Sequence, residues 1–288
     1  MTEEQPLKRA LGGLGRRKAG GKGQCGGGQG GGKGKGKGER TPPPSRPGFF
    51  DAYPLFAEEG TVAATPSRLN FRHELIVEAN APLLKGARVL DIACNDGRFG
   101  LAALLGAGAA HVTGVEARGE AIERGRRAFA EYGVEPSRYA FQQGDVFEAL
   151  EGMAPGGFDT AMVLGFLYHT ARQYELFAQL DRLGVRNVIV DSQVIRPGKG
   201  RRKGGGGKAK PERRGALVEM RWEGTANDGA IADPRGRGRA LSAIPSAEAL
   251  EMWLQEFGWS VERTPLPPPA PNTGVYRRGQ RVAMTGRR

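Results

Sequence analysis

The sequence predicts an α/β fold, a doubly wound and mostly parallel sheet with helices on both faces. Three observations carry this. Apolar runs of strand length alternate with helical patterns from about 88 to 194, as a parallel sheet with helical crossovers requires. The first run, "ARVLDIAC", is continuously apolar, the mark of a central strand buried on both faces. Polar residues follow successive strands at Asp91, Glu116, Asp145 and His169, where ligands sit in open α/β sheets.

The elements follow in order. "SRLNFRHELIVEANAPLL" has Leu69, Phe71, Leu75, Ile76 and Ala79 near helical spacing, with Ser67 as its expected cap. His73 and Arg72 fall on this helix, which either covers a substrate mouth or presents a solvated face. The first strand leads into "GRFGLAALLGAGAA", a helix ending at glycines. "HVTGVEA" is a second strand, with His111 expected at the surface, and "GEAIERGRRAFAEYG" an amphipathic helix closed by Gly133. "RYAFQQGDVFEAL" supplies a third strand and "FDTAMVLGFLYHT" a fourth, with Asp159 before it in a structural role. "ARQYELFAQLDRLG", closed by Gly184, leads to a fifth strand, "RNVIVDSQV". Beyond it, "ALVEMRWEG" alternates like a half-exposed strand and "SAEALEMWLQEFG" is a helix capped by Ser246. "WSVERTPL" and "QRVAMTGRR" are two final strands, suited to an antiparallel edge. Trp222, Trp253 and Trp259 are expected in core or edge packing.

Two segments fall outside this pattern. Residues 1–48 are rich in Gly, Lys and Pro, and residues 197–215 form a basic, Gly-rich insertion. Both hold too few apolar residues to offset the entropy of ordering, so both are expected to be disordered. They carry charges of +8 and +7 against +12 for the whole chain, which leaves −3 on residues 49–196 and 216–288 together. A basic tail of this kind either solvates the chain or holds nucleic-acid backbone without reading sequence. The two cysteines, Cys25 and Cys94, form neither a metal motif nor a disulfide framework, in keeping with a cytoplasmic protein without a metal. No apolar stretch approaches the ~18 residues of a membrane span, so no membrane partner is expected.

Asp91 and Glu116 end neighbouring strands, and a carboxylate ending the second suits the two hydroxyls of an adenosine ribose. Three features favour S-adenosylmethionine over a dinucleotide. "DIACNDGRFG" lacks the G-x-G-x-x-G pyrophosphate loop, while Asp91 and Asp96 attract a cation. "QGDVFEAL" places Asp145 to meet an adenine amino group. The helix–strand–strand ending fits a sheet closed by an antiparallel strand.

On these residues the chain resembles the class I S-adenosylmethionine-dependent methyltransferases, over about 70–288 apart from the insertion. The resemblance implies a Rossmann-like seven-stranded, mostly parallel sheet with an antiparallel edge strand in a three-layer α/β/α domain spanning 49–288. The family's D-x-G-x-G-x-G stands here as Asp91-Ile92-Ala93-Cys94-Asn95-Asp96-Gly97, with Ala93 and Asn95 in place of two glycines. By resemblance, the backbone of Ala93, Cys94 and Asn95, with Gly97 and Gly165, lines the cofactor site. Glu116 then holds the ribose, and Asp145 with the Val146 amide holds the adenine. "GFLYHT" is similar to a subset of small methyltransferases and to the tRNA carboxymethyl transferases; Thr170 in the place of a basic residue favours plain methyl transfer, with Arg172 nearby. His169 is either a general base or a pocket-shaping residue, and Tyr168 a pocket wall or an acid–base group. Cys94 is expected to pack rather than to attack. The implied acceptor is a small molecule. The alternatives are an RNA bound through the basic segments, or a non-catalytic, nucleic-acid-associated remnant of the fold.

Overall fold

A computed structural model of the chain describes residues 47–58, 65–196, 215–224 and 237–288. Most of the basic segments 1–48 and 197–215, and the disorder expected there, lie outside the described residues. A single-turn 3-10 helix at Phe49–Ala52 precedes α1 (Leu55–Glu58), α2 (Pro66–Ile76) and α3 (Ala81–Leu84). Then come β1 (Arg88–Ile92), α4 (Arg98–Gly106), β2 (His111–Glu116), α5 (Gly119–Glu131), β3 (Tyr139–Gln143) and α6 (Val146–Glu151). β4 (Thr160–Leu164), α7 (Gln173–Arg182) and β5 (Asn187–Gln193) complete the alternating part. β6 (Val218–Gly224), β7 (Arg239–Pro245), α8 (Ala247–Glu256), β8 (Ser260–Arg263), α9 (Gly274–Arg277) and β9 (Arg281–Arg287) follow.

Seven strands form one sheet in the order β3-β2-β1-β4-β5-β9-β8. β1 to β5 run parallel, and β9 runs antiparallel to both β5 and β8. The antiparallel closure therefore falls on β9, with β8 outermost. The sheet starts at β1, walks out to β3 and returns to β4, so its switch point lies between β1 and β4. β6 and β7 pair as a separate two-stranded ribbon, with Trp222 opposite Leu241 and Glu223 opposite Ala240.

Side chains alternate across each strand, and the core divides accordingly. Val89, Met162, Ile189 and Ala283 pack with α2, α4 and α5 on one face. Leu90, Ile92, Val163, Val190 and Met284 pack with α6, α7 and α8 on the other. Each fully buried side chain of this kind contributes roughly 1.5–3 kcal/mol. The same parity puts Asp91, Asp191 and Arg281 on the α2 side of the sheet, and this decides where the charged part of the site can form.

Three local expectations are corrected. α2 begins at Pro66 with Thr65 before it, so Ser67 lies inside the first turn and does not cap the helix. Proline is pre-set for the first helical position, which moves the start ahead of the serine. His73 is buried, not solvated, because the Phe49–Ala52 turn folds over α2 and stacks Phe49 on its ring at 4.5 Å; burial lowers the imidazole to about 4. Trp259 is core, but Trp222 stands exposed on the ribbon, with the Arg239 guanidinium 4.4 Å from its ring centre. Elsewhere Ser246 accepts from the Ala249 amide as a helix cap, and Asp159 ties Arg88 to Arg186 in a structural role.

Candidate active site

The turn after β1 bends through three left-handed residues, Ala93 (φ 51°), Asn95 (φ 55°) and Gly97 (φ 70°). Ala93 and Asn95, the two non-glycine substitutes, thus hold glycine-type conformations. Asn tolerates this region, whereas Ala pays about 1–2 kcal/mol. The turn is tied down by its neighbours. The Cys94 amide donates to Val115 O at 3.0 Å, and the Asn95 amide to Glu116 Oε2 at 2.9 Å. Glu116 Oε1 also accepts from the Arg118 amide at 3.1 Å and Arg118 Nε at 2.9 Å. Gly97 supports the turn from beneath: a Cβ there would lie 2.7 Å from the Phe141 ring. Gly97 itself is not among the residues lining the cavity.

A cavity of about 510 Å³ opens at the switch point. Its wall brings together Asp91, Ala93, Cys94, Asn95 and Glu116 from the first two strand ends. Asp145 and Val146 join from the third strand end, and Gly165, Tyr168 and His169 from the fourth. Asp145 Oδ1 caps α6 by accepting from the Phe147 and Glu148 amides. Among the described residues, Asp145 Oδ2 and the Val146 amide have no protein partner.

Charge is unevenly distributed. Asp91 is 2 % exposed and its Oδ2 has no hydrogen-bond partner among the described residues, as is also true of Asn95 Oδ1. Burial, reinforced by Asp96 and Glu116, pushes the Asp91 carboxyl up to about 8. Burial also raises the Cys94 thiol, so it stays protonated and packs, as expected. Asp96 does not line the cavity, and Arg98 Nε donates to its Oδ1 at 2.7 Å. Of the two carboxylates expected to attract a cation, Asp91 lines the cavity and Asp96 does not.

The fourth strand exit ends in a turn, Leu167–His169. Its His169 Nδ1 lies 2.9 Å from Glu223 Oε1 on β6. Gln173 Nε2 reaches Ala243 O at 2.8 Å, and the Ala243 amide donates to Thr170 O, so the ribbon is tied to the histidine turn. Burial lowers the His169 pKa, and Glu223 opposes that shift. The Tyr168 hydroxyl accepts from Arg281 Nη1 at 3.4 Å, and its ring lies against His169. Arg172 is bound to Glu175 and lies over the Phe147 ring.

Residues 83–196 match the model of a family described as "Methyltransferase domain". Over residues 83–196 the chain is thus similar to a methyltransferase domain. No curated protein matches the sequence. Among solved structures, the N-terminal domain of EvdMO1, crystallised in the presence of SAH and D-fucose, aligns with 18 % identity and a TM-score of 0.50, over 75 % of this chain and 81 % of that one. A putative S-adenosylmethionine-dependent methyltransferase from Listeria monocytogenes aligns with 14 % identity and a TM-score of 0.49, over 72 % and 93 % of the two chains. Among the described residues, no helix is long and apolar enough to cross a membrane.

The fold also holds a charged cluster that the strand-end pattern does not reveal. Asp191, inside β5 and fully buried, accepts from Arg72 Nη2 at 2.6 Å, Arg281 Nε at 2.7 Å and the Tyr276 hydroxyl at 2.9 Å. Burial alone would raise this carboxyl, but Arg281 and Arg72 hold it well below the usual range. A carboxylate inside the apolar run "RNVIVDSQV" was the available signal, since a buried charge needs partners. Glu223 was hidden because its partner lies on another element, and β7, the strand that pairs with its own, was not among the strands expected from the sequence.

Proposed function

We propose that this methyltransferase methylates a protonated nucleophile on a small molecule, with His169 as general base. The observation that carries the reading is His169, paired with Glu223 behind it, on the wall of the same cavity that gathers Asp91, Glu116 and Asp145. Glu223 accepts the Nδ1 proton, which leaves the Nε2 lone pair for the acceptor. The lowered pKa keeps the imidazole neutral near pH 7, the state a base needs.

The residues present fit the cofactor. Two buried oxygens without partners, Asp91 Oδ2 and Asn95 Oδ1, suit the ammonium of its amino-acid end. Glu116 would receive the ribose hydroxyls, and Asp145 Oδ2 with the Val146 amide the adenine. S-adenosylmethionine supplies a sulfonium-bound methyl group to the acceptor. The protein's own contribution is alignment, removal of a proton at His169 Nε2, and a wall from β7 that limits water. A cavity of about 510 Å³ lies within the size range of small-molecule sites. Arg172 is occupied by Glu175, which favours methyl over carboxymethyl transfer.

The test is transfer of labelled methyl from S-adenosylmethionine to a cell extract separated into low-molecular-weight and RNA fractions. Label is expected in the first and is lost with His169→Asn. Label in the RNA fraction alone would overturn the small-molecule reading.

A further inference from the structure

A second cavity of about 290 Å³ adjoins the first, and Arg68 and Arg281 line both. Arg68 therefore stands where the two spaces meet, on the first turn of α2. The other arginines on the larger cavity's wall are engaged. Arg98 is held by Asp96, Arg118 by Glu116, Arg172 by Glu175, and Arg72 and Arg281 by Asp191. The Arg68 side chain makes no hydrogen bond or ion pair among the described residues, though Asp191 attracts it at longer range. Asp191 supplies one negative charge to Arg72 and Arg281, so with Arg68 this corner holds three guanidinium groups against one carboxylate. Burial, and repulsion from Arg281 and Arg72, lower the Arg68 pKa. In the smaller cavity the exposed side chains of Arg196 and Glu219 add one charge of each sign.

The larger cavity is thus polarised. Asp91, Glu116 and Asp145 line it toward the first three strand ends, and the arginine excess lies where α2 and β9 meet. A cationic cofactor and an anionic acceptor would sort to opposite ends of such a cavity. A half-buried guanidinium without a carboxylate of its own is costly, and a bound oxyanion offsets that cost with two charge-assisted hydrogen bonds.

We infer that Arg68 is the anion subsite of the methyl acceptor, which carries a carboxylate or phosphate seated there and extends into the second cavity. This rests on the reading of the larger cavity as the methyl-transfer site. It narrows the acceptor from any small molecule to an anionic one.

The experiment titrates inorganic phosphate and benzoate, separately, into protein saturated with S-adenosylhomocysteine, for the wild type, Arg68→Gln and Arg68→Lys. Binding of at least one anion is expected, weakened about tenfold or more in Arg68→Gln. Arg68→Lys should fall between them, because it keeps the charge and loses the fork. S-adenosylhomocysteine affinity should stay within about twofold in both variants, which also shows that they fold. Equal anion binding by the wild type and Arg68→Gln, no binding of either anion, or competition between the anion and S-adenosylhomocysteine would each overturn the inference. Failure of the wild type to bind S-adenosylhomocysteine at all would remove the cofactor reading beneath it, and the first titration distinguishes that outcome. Which anion binds tells a carboxylate acceptor from a phosphate one.

Discussion

His169 Nδ1 lies 2.9 Å from Oε1 and 3.1 Å from Oε2 of Glu223, a residue from another strand 54 positions away. The contact fixes the tautomer and aims the ring, as an orienting carboxylate does for a catalytic histidine. His169→Asn should lower kcat by about 10²–10⁴-fold and leave S-adenosylhomocysteine affinity within about twofold. Equal kcat in variant and wild type would return His169 to the role of pocket wall.

Glu223→Gln separates orientation from charge. Glu223 raises the His169 pKa against the larger effect of burial, so its removal lets the pKa fall further. The acid limb of kcat/KM against pH should move to lower pH, while the plateau rate drops. A limb that stays in place or moves to higher pH would argue against the pair.

Asp91 titrates at about 8 because it is buried beside Asp96 and Glu116. Its folded pKa lies above the unfolded value, so folding favours the neutral acid. Its contribution therefore declines as pH rises from about 4 toward about 8. Asp91→Asn should raise the Tm of the cofactor-free protein, and raise it more at pH 8 than at pH 5. In the wild type, a ligand ammonium should favour the carboxylate, so S-adenosylhomocysteine binding should release protons and tighten as pH rises toward about 8. Calorimetry in buffers of different ionisation enthalpy measures the release.

Ala93 at φ 51° is strained, and Gly97 at φ 70° has Phe141 against it. Ala93→Gly should stabilise the fold by about 0.5 kcal/mol, the left-handed penalty less the added freedom of the unfolded chain. Gly97→Ala should destabilise it by about 2–4 kcal/mol, from backbone strain and overpacking together. Urea unfolding of both variants checks the opposite signs.

Asp191 sits buried in the sheet with Arg72, Arg281 and Tyr276 against it. Asp191→Ala should cost about 3–5 kcal/mol, since it strands two guanidinium groups. The wild-type carboxyl is held well below its unfolded value. Its stabilisation is complete above about pH 4 and is lost as pH falls below that. A shallow acid transition in the variant relative to the wild type would bear this out.

The alternation of strands and helices, the turn after β1 and the gathering of Asp91, Glu116, Asp145 and His169 were legible in the sequence. They follow from local causes: the period of apolar residues, the glycine at each helix end and the polar residue at each strand exit. The non-glycine turn residues were also readable, since Ala and Asn are tolerable substitutes in left-handed backbone. Tertiary structure alone decided the rest. Asp96 reads as a cavity carboxylate until Arg98 is seen to hold it. Glu223, Arg68 and Arg281 carry no local signal, because a charged residue on an alternating strand or a helix is ordinarily solvated. Their meaning comes from partners brought together by the ribbon, α2 and β9, and burial turns those long-range pairings into pKa shifts and a polarised cavity. What the chain by itself determined is the scaffold and the cofactor end of the site. The acceptor end depends on which side chains the fold leaves ion-paired and which one, at Arg68, it leaves without a hydrogen bond or ion pair among the described residues.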